Sequence, residues 1–330
     1  MSGAKKASYV LVPLGVMASA WMHLAPAALA GLLSYMVLDL TFRALARRLS
    51  ARLSRWLALA VFLVAAAAMG WMVARFVRAT IHTLPEIAAT AIPRAVDLAG
   101  DYGVDLPFEN VYELREVVIQ EVRQNAEAVT KASGLLTLQA FQVLIAVFAA
   151  VLAFFCPVPE MRRPDLFDEL GRELAQRMLT FMVGFEKLLG AQVLISAAYA
   201  VLTLAFLVAL GFKHLIFLTL ATFLFGIMPI IGNVISNAII VASGLTLSDR
   251  HAFIALVFLI VIHKSGYFVY GKVLGERLQV PMWQTLLAIL LGQVVMGVPG
   301  IVLAPTLLHY VKEELRAIPA GAGQDQPMSS

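Results

Sequence analysis

The stretch from Leu215 to Gly244, LIFLTLATFLFGIMPIIGNVISNAIIVASG, decides the fold of this chain. It contains no charged residue, and it is longer than the roughly 20 apolar residues that cross a bilayer. Pro229 and Gly232 interrupt it near its centre, so each half is too short to cross comfortably. Backbone that is not helical is tolerated at membrane depth only when it is buried in protein or lines a wet cavity. The stretch therefore predicts an all-α, polytopic integral membrane protein with a re-entrant segment here.

A second interrupted segment runs from about Trp283 to Tyr310. Its predicted breaks lie at Gly297, Pro299, Gly300 and Pro305, and Gly271 is a further predicted break before it. Paired segments broken by Gly and Pro are the best pointer in a sequence to a transport site. Continuous spans are predicted beside them, at about 191–210 and 251–270. We therefore expect residues 190–312 to form a transport core, in a protein of about eight transmembrane helices with two broken segments.

Composition supports a membrane location for most of the chain. The 330 residues are 61% hydrophobic and 14% charged, whereas soluble domains are about one-quarter charged. The single cysteine, Cys156, cannot form an intrachain disulfide or a cysteine-based metal site.

The remaining segments follow from charge and hydropathy. Five arginines between residues 43 and 55 have no acid among them; a basic patch of this kind can bind nucleic acid, but beside spans it indicates a cytoplasmic loop. Pro85, Pro93 and Pro107 are expected to divide the polar region after the third span into short helices. The predicted divisions are residues 1–74 (hairpin, basic loop, third span), 75–137 (non-cytoplasmic helical region), 138–156 (fourth span), 157–189 (cytoplasmic amphipathic helix), 190–312 (transport core) and 313–330 (disordered tail).

Motifs of soluble enzymes are missing from the sequence. It contains no phosphate-binding loop, no nucleophile elbow and no zinc-protease pattern, and its six histidines do not have metal-ligand spacing. We therefore expect no enzymatic activity, no cofactor, no metal site and no nucleic-acid partner. The expected partners are the lipid bilayer and a small-molecule solute.

Polar residues within the apolar core are the candidates for a substrate path. Half-helix ends at a break expose backbone groups that can hold polar solutes. Lys264 is the most informative side chain, because a charge deep in a span is either paired, functional or snorkelling at an interface. The amides and hydroxyls could instead be hydrogen bonds between helices, each contributing about 0.6 kcal/mol. The path candidates are Gln192, Pro229, Gly232, Asn233, Ser236, Asn237, Lys264 and Gln293.

Three stretches, taken in order, resemble the autoinducer-2 exporter family of bacterial membrane proteins. They are FGIMPIIGNVIS at 225–236, GKVLGERLQVP at 271–281 and LLGQVVMGVPGIVLAP at 290–305. The resemblance implies a multi-pass protein of the bacterial inner membrane that forms homo-oligomers. It also implies export of a small polar solute, such as an autoinducer-2-like signalling molecule or a related metabolite.

Two other functions remain open. Some members of that family resemble Na⁺(Li⁺)/H⁺ antiporters, and a membrane scaffold that does not transport would have its polar core residues fully paired. The chain departs from the family pattern at Gly271, where a proline is expected, and the polar run at 263–266 has no acid. The missing acid disfavours cation coupling, and Lys264 favours an anionic or oxygen-rich solute beside Asn233 and Asn237.

Overall fold

A computed structural model describes residues 3–103, 113, 126–156, 165–229, 231–270 and 281–316. The predicted break at Gly271, Pro107 and most of the predicted tail lie outside these residues. The described parts of the chain contain ten helices and no strand. The helices are α1 (Gly3–Trp21), α2 (Ala25–Leu45), α3 (Ala51–Asp101), α4 (Ala126–Phe155), α5 (Leu166–Ala209), α6 (Leu215–Gly226), α7 (Ile231–Leu245), α8 (Asp249–Tyr270), α9 (Met282–Met296) and α10 (Val298–Arg316).

Among the described residues, four helices are long and apolar enough to cross a membrane. They are α2, α3, the Thr137–Phe155 part of α4, and α5. The apolar helices α6 and α7 have 12 and 15 residues. At 1.5 Å per residue these two rise only about 18 and 22 Å, less than the roughly 30 Å of a hydrocarbon core. The all-α, polytopic class is confirmed, whereas the number of about eight spans stays a prediction.

A short turn at residues 22–24 joins the first two helices, and the predicted hairpin stays a prediction. In this turn His23 has a φ of 56°, in the left-handed region. Pro26 lies in the first turn of α2, where its missing N–H would have no helical partner in any case.

The prediction that Pro85 and Pro93 end short helices is wrong. Both lie inside α3, which is continuous over 51 residues. Each proline removes one backbone hydrogen bond, but packing holds the helix across them. Ile87 and Ala91 are at most 4% exposed and are part of a core with residues of four other helices. The predicted boundary at 74–75 therefore falls inside α3, and that at 189–190 falls inside α5.

Two hydrophobic clusters both contain residues of α5, and they are named here by their place along that helix. The outer cluster joins Ile87 of α3 and Leu207 near the end of α5 to Leu218, Ile240 and Leu259 of α6, α7 and α8. The inner cluster lies further from that end of α5 and joins α2, the middle of α5 and α10. Its buried members are Ala25, Met36, Met182, Phe185, Leu189 and Leu303.

Candidate functional site

The break between α6 and α7 is a tight backbone turn. Met228 N–H donates to the Phe225 carbonyl and Ile231 N–H donates to the Pro229 carbonyl, each at 2.9 Å. A Cβ atom on Gly232 would lie 1.7 Å from the Phe225 oxygen. This approach leaves no space for a side chain, so glycine is required at position 232. The turn reverses the chain, and α6 and α7 become the two arms of one helical hairpin.

Two polar side chains of α5 hold the end of α6. Gln192 Nε2 donates to the Gly226 carbonyl at 2.6 Å, and Ser196 Oγ donates to the Phe223 carbonyl at 2.6 Å. These carbonyls are among the last four of a helix, which have no partner inside it. Gln192, a predicted path residue, therefore stabilises the break. Sequence reasoning missed Ser196, although its spacing of four from Gln192 on an apolar helix places both on one face.

The amides of α7 differ from its buried serine. Ser236 is 1% exposed, and its hydroxyl donates to the carbonyl of Asn233 at 3.2 Å. Asn233 and Asn237 are half-buried, and neither side-chain amide has a hydrogen-bond partner among the described residues. They lie one turn apart on α7, immediately after the break. Two unpaired amides on one face can both donate to and accept from a polar solute.

The second break separates α9 from α10. Gly297 has φ 67° and ψ −149°, a conformation that is essentially restricted to glycine. A Cβ atom on Gly300 would lie 1.9 Å from the Gly292 carbonyl, so the two arms pack backbone to backbone. Pro299 lies in the first turn of α10. Pro305 lies inside α10, so the prediction of a break there is wrong.

The turns of the two hairpins lie beside the same hydrophobic cluster. Ile227, which follows α6, and Met296, which ends α9, both pack against the inner cluster. That cluster contains Phe185 and Leu189 of α5, and Gln192 lies on the next turn. The structure therefore brings both turns to one cluster, which includes the middle of α5.

Comparison of the chain with known protein families gives a match. A family model described as AI-2E family transporter matches residues 7–320, which is nearly the whole chain. The chain belongs to the AI-2E family of transporters. Among curated proteins, none matches the chain. Membership agrees with the resemblance found at the three core stretches, and it makes this protein a membrane transporter.

Two predicted path residues of this AI-2E transporter are exposed. Lys264 is an exposed residue of α8. The buried face of α8 is formed by Ala255, Leu259 and Ile262, and helical geometry places Lys264 on the opposite side. The expected site that combined Lys264 with the amides of α7 is therefore not formed. Gln293 is likewise exposed, on α9.

A buried charge that sequence reasoning missed connects three helices of the transporter. The side chain of Arg177 in α5 is only 5% exposed. Its Nε donates to Ser8 Oγ at 2.8 Å, and one terminal nitrogen donates to Glu314 Oε2 at 2.7 Å. The guanidinium carbon lies 3.7 Å from the centre of the Tyr9 ring. Arg177 is one of several charges in a polar segment, so neither its burial nor its partners on α1 and α10 could be read from the sequence.

Proposed function

We propose that this AI-2E transporter exports a small polar solute along a path between α5 and the turns of the two hairpins. The observation that carries the proposal is the convergence of Ile227 and Met296 on the inner cluster. Each turn has interrupted backbone beside this cluster, and such backbone is tolerated at membrane depth where it is buried in protein or lines a cavity. Residues 190–312 supply the hairpins, so we keep this range as the transport core.

The proposed orientation has the basic loop at 43–55 and the start of α5 in the cytoplasm, and residues 75–137 outside it. Two contacts support this orientation. Ser8 and Glu314 both bind Arg177, which puts the start of α1 and the end of α10 at one end of the molecule. Arg94 donates to the Leu245 carbonyl, so the end of α3 lies beside the end of α7. The α6–α7 hairpin then enters from outside and the α9–α10 hairpin from the cytoplasm of a bacterial inner membrane.

The proposed solute is neutral and rich in hydroxyl groups, as an autoinducer-2-like molecule is. The contacting groups are the amides of Asn233 and Asn237, which are the unpaired polar side chains nearest to the first turn. Lys264 adds no positive charge at this place, because it lies on the outer face of α8. Lys264 therefore no longer supports the hypothesis of an anionic solute.

The amides also favour a solute exporter over the alternatives. Carboxylates are common oxygen ligands of hard cations. The sequences of α6, α7 and α9 contain no Asp or Glu, and the two glutamates of α10, Glu313 and Glu314, are paired with arginines. This composition disfavours a Na⁺(Li⁺)/H⁺ antiporter that works through these hairpins. A scaffold would have its amides buried and paired, whereas Asn233 and Asn237 are half-exposed. We retain assembly into homo-oligomers as part of the proposal, to be measured by cross-linking in the membrane.

Flux into proteoliposomes tests the proposal. Purified protein is reconstituted, and uptake of a panel of polyols, autoinducer-2-like sugars and Na⁺ is followed with and without a pH gradient. Asn233→Leu and Asn237→Leu should each lower polyol flux at least tenfold at unchanged expression. Gln139→Leu is the matched control, because it removes a half-buried amide from α4, a helix whose main contact is α2. Normal flux in both asparagine variants contradicts the path, and flux of Na⁺ alone favours the antiporter.

A further inference from the structure

A groove between α5 and α10 lies outside the proposed solute path. It has a volume of about 330 Å³ and is lined by Thr180, Gly184 and Lys187 of α5 and by His309 and Glu313 of α10. A Cβ atom on Gly184 would lie 2.9 Å from His309 Cδ2. Glycine at this position therefore lets the imidazole fit closely against α5 and form the floor of the groove.

The charges of the groove favour an anion. Lys187 is exposed, and the ion pairs found in the described part of the chain do not include it. Its neighbour Glu186 binds Arg43 of α2 instead. Glu313 is paired with Arg316 at 3.1 Å, so its negative charge is balanced. The groove is left with the uncompensated positive charge of Lys187.

Apolar side chains flank the same groove. Leu179 and Val183, which also line it, are 58% and 49% exposed. Beside them His309 Nδ1 is buried with no hydrogen-bond partner. A soluble anion would leave Leu179 and Val183 in contact with water. A lipid would place its phosphate near Lys187 and an acyl chain over these two side chains.

We propose that the groove between α5 and α10 binds the phosphodiester headgroup of an anionic phospholipid. Basic pockets between helices at the cytoplasmic side of a membrane bind such headgroups. The groove lies on the half of α5 that the proposed orientation places at the cytoplasmic side. This lipid site is separate from the solute path, because the residues that line the groove include no residue of either hairpin turn.

Native mass spectrometry with phosphatidylglycerol and phosphatidylcholine tests the site. The wild-type protein should retain a phosphatidylglycerol molecule in preference to phosphatidylcholine. Lys187→Gln should weaken this binding about fivefold, since one basic residue near an anionic lipid surface contributes about 1 kcal/mol. Lys213→Gln, which removes an exposed cation from the loop at the other end of α5, should change nothing.

Two further experiments distinguish a bound lipid from a bound soluble phosphate. Leu179→Gln should weaken lipid retention, because the acyl chain loses its apolar contact. Glycerol 3-phosphate at millimolar concentration should not displace the lipid. Displacement by glycerol 3-phosphate shows that a soluble phosphate is the ligand and overturns the lipid site. Unchanged lipid retention in Lys187→Gln, in protein with a wild-type melting temperature, overturns the site altogether.

Discussion

Replacing Glu314 with glutamine should destabilise the protein strongly, because it removes the main partner of a buried charge. Glu314 Oε2 lies 2.7 Å from a terminal nitrogen of Arg177, and the two side chains are 18% and 5% exposed. The other carboxylate near Arg177 belongs to Glu173, which is 3.8 Å away and 27% exposed. Without Glu314, the guanidinium stays buried with a weaker and more distant counter-charge.

The magnitude follows from the geometry of Arg177. Breaking a buried ion pair by removing one partner costs roughly 3–5 kcal/mol. Glu173 and the ring of Tyr9 still stabilise the guanidinium, so we expect a loss of about 3 kcal/mol, the lower end of this range. The double variant Arg177→Met with Glu314→Gln should lose less than Glu314→Gln alone, because no charge then stays buried.

The assay is reversible unfolding in mixed micelles with increasing denaturing detergent, followed by tryptophan fluorescence. Glu313→Gln is the matched control on the neighbouring position. Its partner Arg316 lies at 3.1 Å, and both side chains are nearly half-exposed, so that pair contributes about 0–1 kcal/mol. If Glu314→Gln lowers the free energy of unfolding no more than Glu313→Gln does, Arg177 does not depend on Glu314 and the reasoning fails.

Three further predictions test the orientation, the first turn and the outer face of α8. The first uses Tyr102→Cys and Ser50→Cys, both at exposed positions, in a protein without the native cysteine. An impermeant maleimide applied to intact cells should label the cysteine at 102 and not the one at 50. The reverse pattern contradicts the orientation. Gly232→Ala should lower the yield of folded protein at least tenfold by gel filtration, because the new methyl would overlap a carbonyl of α6. Gly190→Ala, with open space around it, should fold normally. Lys264→Met should leave solute flux within twofold of wild type. A larger loss would show that Lys264 contributes to the solute path.

The interrupted hairpins could be predicted because their cause is local. Pro229 removes a donor and Gly232 allows backbone contact, and both effects depend on residue type alone. Gly297 marks the second turn in the same way, since its backbone angles are restricted to glycine. By contrast, Pro305 lies inside a continuous α10. A proline permits a break, but a break also requires that packing around it favours a change of direction.

The same reasoning explains why α3 differs from its prediction. Pro85 and Pro93 lie in a polar region where a helix should be easily interrupted. They remain helical because Ile87 and Ala91, which lie between them, are buried by contacts with helices far along the chain. Such contacts are tertiary and leave no trace in the local pattern. Proline alone is therefore a weaker boundary signal in a membrane bundle than in an isolated helix.

Lys264 and Arg177 show how a charge is best judged in such a protein. From the sequence, Lys264 is the leading candidate for a functional charge, because an apolar run surrounds it. Arg177 is not a candidate, because other charges surround it. The structure reverses the order: Lys264 faces outward on α8, while Arg177 is buried and bound by α1 and α10. A lysine can bring its ammonium to an interface along a flexible stem, so an apolar run does not prove burial. A buried guanidinium needs fixed partners, and the helices that supply them are thereby fixed to each other. In this transporter Arg177 holds α10 against α5, so movement of the second hairpin should involve α9, whose main contact is α10, more than α10 itself.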